Sequence, residues 1–209
     1  SYLSLCMNMV HPVTPTLVHE LGFSSLLYSS LSSTLALTNF LCAPVWGYYS
    51  DRHGRRPVLL VGTVMYACSQ FLFSRATTVP VLLIARLCGG IGSAGYITAG
   101  LAYIVDVSGP EARGRNLAVF TALTSISSSF GYLAGGLLGT ISVQTTFFVQ
   151  LTLLSTCALL GYFILGESRD RQAILLSRAD LTAKKFYDFK AMGSIMSLPV
   201  LLFLVSVVL

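Results

Sequence analysis

The chain's 209 residues are 54% hydrophobic and only 10% charged, against roughly 25% charged in a soluble domain. At a mean hydropathy of +0.75 there are too few polar groups to cover a water-soluble globule, which excludes soluble enzymes, DNA-binding domains and disordered tails. A bilayer crossing needs about 20 apolar residues, and with its connection about 30, so the chain reads as an all-α polytopic membrane bundle of about seven crossings.

The first apolar run covers Tyr2 to His19, is interrupted by Pro12 and Pro15, and closes at Glu20-Leu21-Gly22. The second runs from Leu26 to Tyr49 and ends at the charged cluster from Asp51 to Arg56. The third covers Pro57 to Ser74, and the fourth, Val81 to Val105, carries a single charge, Arg86. A polar loop from Asp106 to Arg115 leads to the fifth run, Asn116 to Thr140, and the sixth follows from Thr145 to Leu165. Residues 1–165 therefore make one six-helix unit, 166–193 a long polar loop, and 194–209 the start of a seventh helix. Helix is expected in every span, because a lone lipid-exposed strand cannot pair its backbone groups. Ser1 is not a start methionine and no basic stretch precedes the first run, so a signal peptide is not expected. The chain is expected to begin short of its natural start.

The positive charge is unevenly placed. Arg52, Arg55, Arg56, Arg113, Arg115, Arg169, Arg171, Arg178, Lys184, Lys185 and Lys190 all fall in loops two-three, four-five and six-seven. Only Arg75 falls on the other side. The positive-inside rule then puts those three loops in the cytoplasm and Glu20, Arg75 and Gln144 outside. The basic residues set topology, so no nucleic-acid partner is expected. The five cysteines lie singly in apolar stretches without a CxxC pair, so neither disulfides nor a metal site is expected. Nor is there a HExxH, GxSxG or P-loop string, and bond-making catalysis and cofactors are not expected.

Five groups of residues carry chemistry. In the loop string Gly47-Tyr48-Tyr49-Ser50-Asp51-Arg52-His53-Gly54-Arg55-Arg56-Pro57, Asp51 is expected just past the negative end of helix two, where a carboxylate needs a partner. Arg55 is four residues on, Gly54 permits a tight reversal, and Pro57 suits a first helical turn. In span four, Arg86 costs at least a few kcal/mol unless it faces the bundle interior or a wet cavity with a partner. Arg86, Gly89, Gly90, Ser93 and Gly100 share one helical face there, and Gly92 follows close by. In span five, Gly131, Gly135 and Gly139 recur every four residues beside Gly136, a groove for another helix. In span one, Asn8 and His11 are polar at cavity depth, where Pro12 and Pro15 break the hydrogen-bond ladder. Near the end of span two, Trp46, Tyr48 and Tyr49 read as an interfacial aromatic belt.

The loop string resembles the signature between helices two and three of the major facilitator superfamily, G-x-x-x-D-R-x-G-R-[RK]. Arg86-Leu87-Cys88-Gly89-Gly90-Ile91-Gly92 is similar to the family's helix-four motif. Gly131-Tyr132-Leu133-Ala134-Gly135-Gly136 resembles the helix-five motif G-P-x-x-G-G of proton-coupled drug antiporters, with Tyr132 where proline is usual. Val10-His11-Pro12-Val13-Thr14-Pro15 resembles the first helix of multidrug efflux members. The resemblance implies one transporter half, a three-plus-three inverted repeat, whose six-helix C-terminal partner lies beyond residue 209. It implies a conformational charge network of Asp51, Arg52, Arg55, Arg56 and Asp106 that locks the outward-facing state. It also implies proton coupling at Arg86, with Asn8 and His11 at the cavity. The expected function is proton-driven efflux of amphiphilic small molecules from the cell membrane. No Asp or Glu lies in the middle of a span, so the coupling acid is expected in the partner half. The alternatives are a symporter or uniporter for a polar metabolite, a transport-inactive fragment, and a seven-helix receptor.

Overall fold

The structure, a computed structural model, describes residues 2–20 and 22–166. The long polar loop beyond residue 166 and the start of the seventh span at 194–209 lie outside the described residues. The described part is helical: α1 (Tyr2–Asn8), α2 (Thr14–Glu20), α3 (Ser25–His53), α4 (Arg55–Arg75), α5 (Val79–Val107), α6 (Arg113–Gly139) and α7 (Val143–Ile164). The five helices from α3 to α7 are long and apolar enough to cross a bilayer. Their outward surfaces are apolar: Phe148 and Phe163 are 73% and 78% exposed, which water would not tolerate over so large a patch.

The first predicted span is two short helices. Pro12 has no N–H to give and disfavours helix at the residue before it, and the chain leaves α1 at Met9 and re-enters at Thr14. Local bonds bridge the break, with the Val13 and Thr14 amides donating to the Val10 carbonyl at 3.1 and 3.0 Å. The Thr14 hydroxyl donates to the same carbonyl at 2.7 Å. Pro15 falls in the first turn of α2, where its missing donor costs nothing.

Helix ends differ from expectation at one informative place. Asp51 is not past the second span but inside the last turn of α3, which continues to His53. Gly54 alone separates α3 from α4, at φ 100°. A side chain would be strained in that left-handed backbone, so the one-residue reversal needs glycine. At the far end of the bundle the Ser142 hydroxyl caps α7, accepting from the Thr145 amide at 3.0 Å.

The helix pairings reveal the repeat. The main pairs are α4 with α5, α3 with α5, α1 with α6, α4 with α7, α3 with α4, α1 with α7, α2 with α3, α5 with α6, and α6 with α7. If the first span (α1 plus α2), α3 and α4 are exchanged for α5, α6 and α7, the set maps onto itself. Three crossings leave the chain on the opposite side of a bilayer, so the second triplet starts there and the repeat is inverted. The core sits between the triplets, where Val10, Val13, Leu31, Phe73, Leu82 and Phe147 pack together.

Candidate functional site

The charged loop folds into a knot at the joined ends of α3, α4 and α5. Arg55 is buried and reaches Asp51 at 2.7 Å on the last turn of α3 and Asp106 at 2.9 Å on α5. It also donates to the Ser50 hydroxyl at 3.1 Å. Gly54 makes this possible, because the tight reversal sets Arg55 beside the final turn of α3. Arg52 donates to the Tyr48 hydroxyl at 3.2 Å. Arg56 binds the Tyr162 backbone carbonyl and covers the Tyr162 ring at 5.5 Å, which fastens α4 to α7. Tyr49 stacks on His53, with ring centroids 4.0 Å apart.

Arg86 is buried two turns into α5, facing the break in the first span. Its guanidinium donates to the Thr14 hydroxyl at 3.3 Å and lies over the Phe73 ring, 3.9 Å from the centroid. Among the described residues no carboxylate pairs with it, and its Nε has no partner. Such a cation is held by ring quadrupole, hydroxyl dipole and the surrounding polar groups. Two other polar side chains, Gln70 on α4 and Gln150 on α7, are also buried. Gln150 donates to the Cys6 carbonyl at 2.9 Å, one of the acceptors left at the end of α1. Among the described residues the Oε1 atoms of both glutamines have no hydrogen-bond partner. Sequence reasoning missed both, although a glutamine amid an apolar span is itself a signal.

The glycines separate by the helix they meet. A Cβ on Gly131 would lie 2.4 Å from the Leu5 carbonyl oxygen, one on Gly135 1.9 Å from that of Met9, and one on Gly139 3.4 Å from Val13. Steps of four on α6 thus match steps of four along the first span, and the broken segment rests in the groove. Gly136 is not part of that groove, since nothing lies within 4 Å of its Cβ position. The α5 glycines are met by two helices, with Gly89 also 3.7 Å from Leu35 of α3. Gly90 meets Leu35, Thr38 and Asn39 of α3, Gly89 meets Ser69 of α4, and Gly92 meets Tyr66 and Gly62 of α4. Gly100 faces open space.

Two amide–hydroxyl clasps close the repeat-related pairs. Asn8 donates to the Ser128 hydroxyl at 3.0 Å between α1 and α6. Asn39 donates to that of Ser93 at 2.7 Å between α3 and α5. His11 is exposed at the break, its ring 5.8 Å from that of Tyr132. Trp46 points inward instead of forming a simple belt, its indole N–H donating to the Ile91 carbonyl at 2.8 Å. A cavity of about 520 Å³ opens between α1, α5 and α6, with Asn8, Tyr96, Phe120, Thr124 and Ser128 on its wall. That volume suits a drug-sized molecule.

The family model of the Major Facilitator Superfamily matches residues 2–209. The chain belongs to the major facilitator superfamily. It is 36% identical over 165 residues to the tetracycline resistance protein, class C, of Escherichia coli, covering 78% of this chain and 41% of that protein. It is 30% identical over 163 residues to multidrug resistance protein 1 of Bacillus subtilis (strain 168), covering 78% and 42%. The fold matches that of the human organic anion transporter MFSD10 (TETRAN) with a TM-score of 0.67 at 23% identity, over 82% of this chain and 46% of that one. The chain thus spans about two fifths of the length of the curated relatives it matches. Its sequence relatives include tetracycline and multidrug resistance proteins.

Proposed function

We propose that the full-length protein is a proton-coupled exporter of amphiphilic small molecules, working by alternating access in the cell membrane and carrying out no covalent chemistry. In this reading loops two-three, four-five and six-seven are cytoplasmic, and a second six-helix half completes the central cavity. The observation that carries it is the cavity beside the broken first span, walled by aromatic rings, hydroxyls and one amide, in a chain similar to resistance proteins. Backbone at membrane depth departs from helix only where protein or a water-filled cavity receives it.

Coupling to protons needs a group that binds proton and substrate competitively. In this half the titratable candidate at cavity depth is His11; the acid that would share the work belongs to the partner half. Arg86 supplies fixed positive charge within α5. The knot of Asp51, Arg55 and Asp106 rigidifies the ends of three helices, as a half that rocks against a partner requires. A symporter or uniporter for a polar metabolite is the second reading. It is favoured by α6, which runs from Arg113 to Gly139 without a proline at Tyr132. Proteoliposomes of the full-length protein, given an imposed pH gradient and a panel of dyes and metabolites, separate the two. Substrate moving against the proton flow supports export; substrate moving with it overturns export.

A further inference from the structure

The hydrogen bonds around the 520 Å³ cavity run in one direction. Thr121 and Thr124 donate their hydroxyl protons to the Leu117 and Phe120 carbonyls at 2.9 and 2.7 Å. A carbonyl can only accept, so in each the proton points into the helix and oxygen lone pairs face the cavity. Ser128 does the same toward the Thr124 carbonyl at 2.9 Å. The Asn8 amide is fixed by the same logic. Its nitrogen donates to the Ser4 carbonyl at 2.7 Å and to the Ser128 hydroxyl at 3.0 Å, which leaves its carbonyl oxygen free to accept. The Tyr96 hydroxyl donates to the Met7 sulfur. Among the described residues the wall adds the rotatable hydroxyls of Tyr2, Ser4 and Ser125 and the weakly donating Cys157 thiol, and no Asp, Glu, Lys, Arg or His.

We infer that this cavity selects its ligand by hydrogen bonds the ligand donates: it takes amphiphiles bearing N–H or O–H groups and discriminates against the same molecule methylated at those positions. The inference deepens the efflux reading and places its substrate in this cavity. Without a fixed charge among the described wall residues, cationic charge alone gives this wall no discrimination. A donor-bearing ligand instead meets acceptors already oriented, which costs no reorganisation. A ligand that only accepts leaves those lone pairs desolvated and unpaired.

The test uses two probes of equal charge and chain length, protonated N,N-dimethyldodecylamine and N,N,N-trimethyldodecylammonium, which differ in one N–H. Their binding to the full-length protein in lipid nanodiscs is measured at neutral pH without a gradient. The expected preference for the N–H probe is roughly tenfold, the worth of one charge-assisted hydrogen bond. The double variant Thr121→Val/Thr124→Val keeps side-chain shape and removes two acceptors, and should bring the ratio toward one. Thr152→Val, an exposed threonine of α7 away from the cavity, should leave it unchanged. Comparing ratios between variants cancels the different lipid partitioning of the probes. Equal binding of both probes by the unaltered protein, or an unchanged ratio in the double variant, overturns the inference. If gradient-driven export fails while the ratio persists, the efflux reading falls and this one stands.

Discussion

The Arg86 guanidinium lies 3.9 Å from the centre of the Phe73 ring, both side chains buried and each from a different triplet of the repeat. The contact spans the seam between triplets at the depth where the first span breaks. Thr14, re-starting the helix after the break, is the arginine's hydrogen-bond acceptor. A cation placed there couples the position of α5 to the conformation of residues 9–13.

Stability and transport should therefore separate at Arg86. Arg86→Met fills a similar volume and removes a buried charge that lacks a carboxylate among the described residues. Its thermal unfolding in nanodiscs should match or exceed that of the unaltered protein, while pH-gradient-driven export is lost. Phe73→Leu keeps the charge and removes the ring, and should lower stability by about 2 kcal/mol. A destabilised Arg86→Met with intact export would remove the coupling role.

The two acids of the arginine knot should behave unequally. Asp106 is 25% exposed and Asp51 43%, so water screens Asp51 more. Asp106→Asn leaves Arg55 short of its partner on α5 and should cost about 1–3 kcal/mol. Asp51→Asn should cost less than about 1 kcal/mol, yet abolish gradient-driven export if the knot acts between conformations. Urea titration of each variant beside a transport assay distinguishes these outcomes, and full export by Asp51→Asn would refute the conformational role.

How much of this was readable before the structure depends on the range of the interaction. The spans were legible because apolar runs end at charges, and the break was legible because Pro12 forbids the ladder locally. Asp51 was placed past α3 because charge suggests a helix end, whereas the chain keeps turning until Gly54, the first residue free to reverse it. The Gln150–Cys6 bond joins residues 144 apart, and no local pattern encodes such a partner. The α5 glycines looked like one face by spacing, but two neighbouring helices contact that face from different sides. The helix-five motif likewise merged Gly135 with Gly136, which only the packing of α1 tells apart.

Orientation is open to direct measurement. Gly114 lies in the first turn of α6, in open space, and Ile141 lies just past its other end, 72% exposed. With the native cysteines replaced, Gly114→Cys should react with a membrane-impermeant maleimide only in inside-out vesicles. Ile141→Cys should react only in intact cells. The expectation follows from the basic residues beside Gly114 and their absence beside Ile141. Reversed labelling would overturn the cytoplasmic assignment of the basic loops.

The adjacent glycines of α6 give the sharpest test of the groove. At Gly135 a methyl group would sit 1.9 Å from the Met9 carbonyl oxygen, and its nearest neighbours are all Met9 backbone atoms, not a flexible side chain that could yield. Gly135→Ala should therefore push α1 off α6, disturb the break that Met9 begins, and cut the amount of folded protein recovered from membranes severalfold. Overpacking of this kind costs at least about 1–3 kcal/mol. At Gly136 the same methyl group meets nothing within 4 Å. There alanine gains helix propensity, about 1 kcal/mol at most, so Gly136→Ala should be neutral or slightly stabilising in a thermal melt. The pair controls for composition, helix position and membrane depth, since the two sites differ by one residue. Equal effects of the two substitutions would mean that α1 does not lie in the Gly131–Gly135–Gly139 groove.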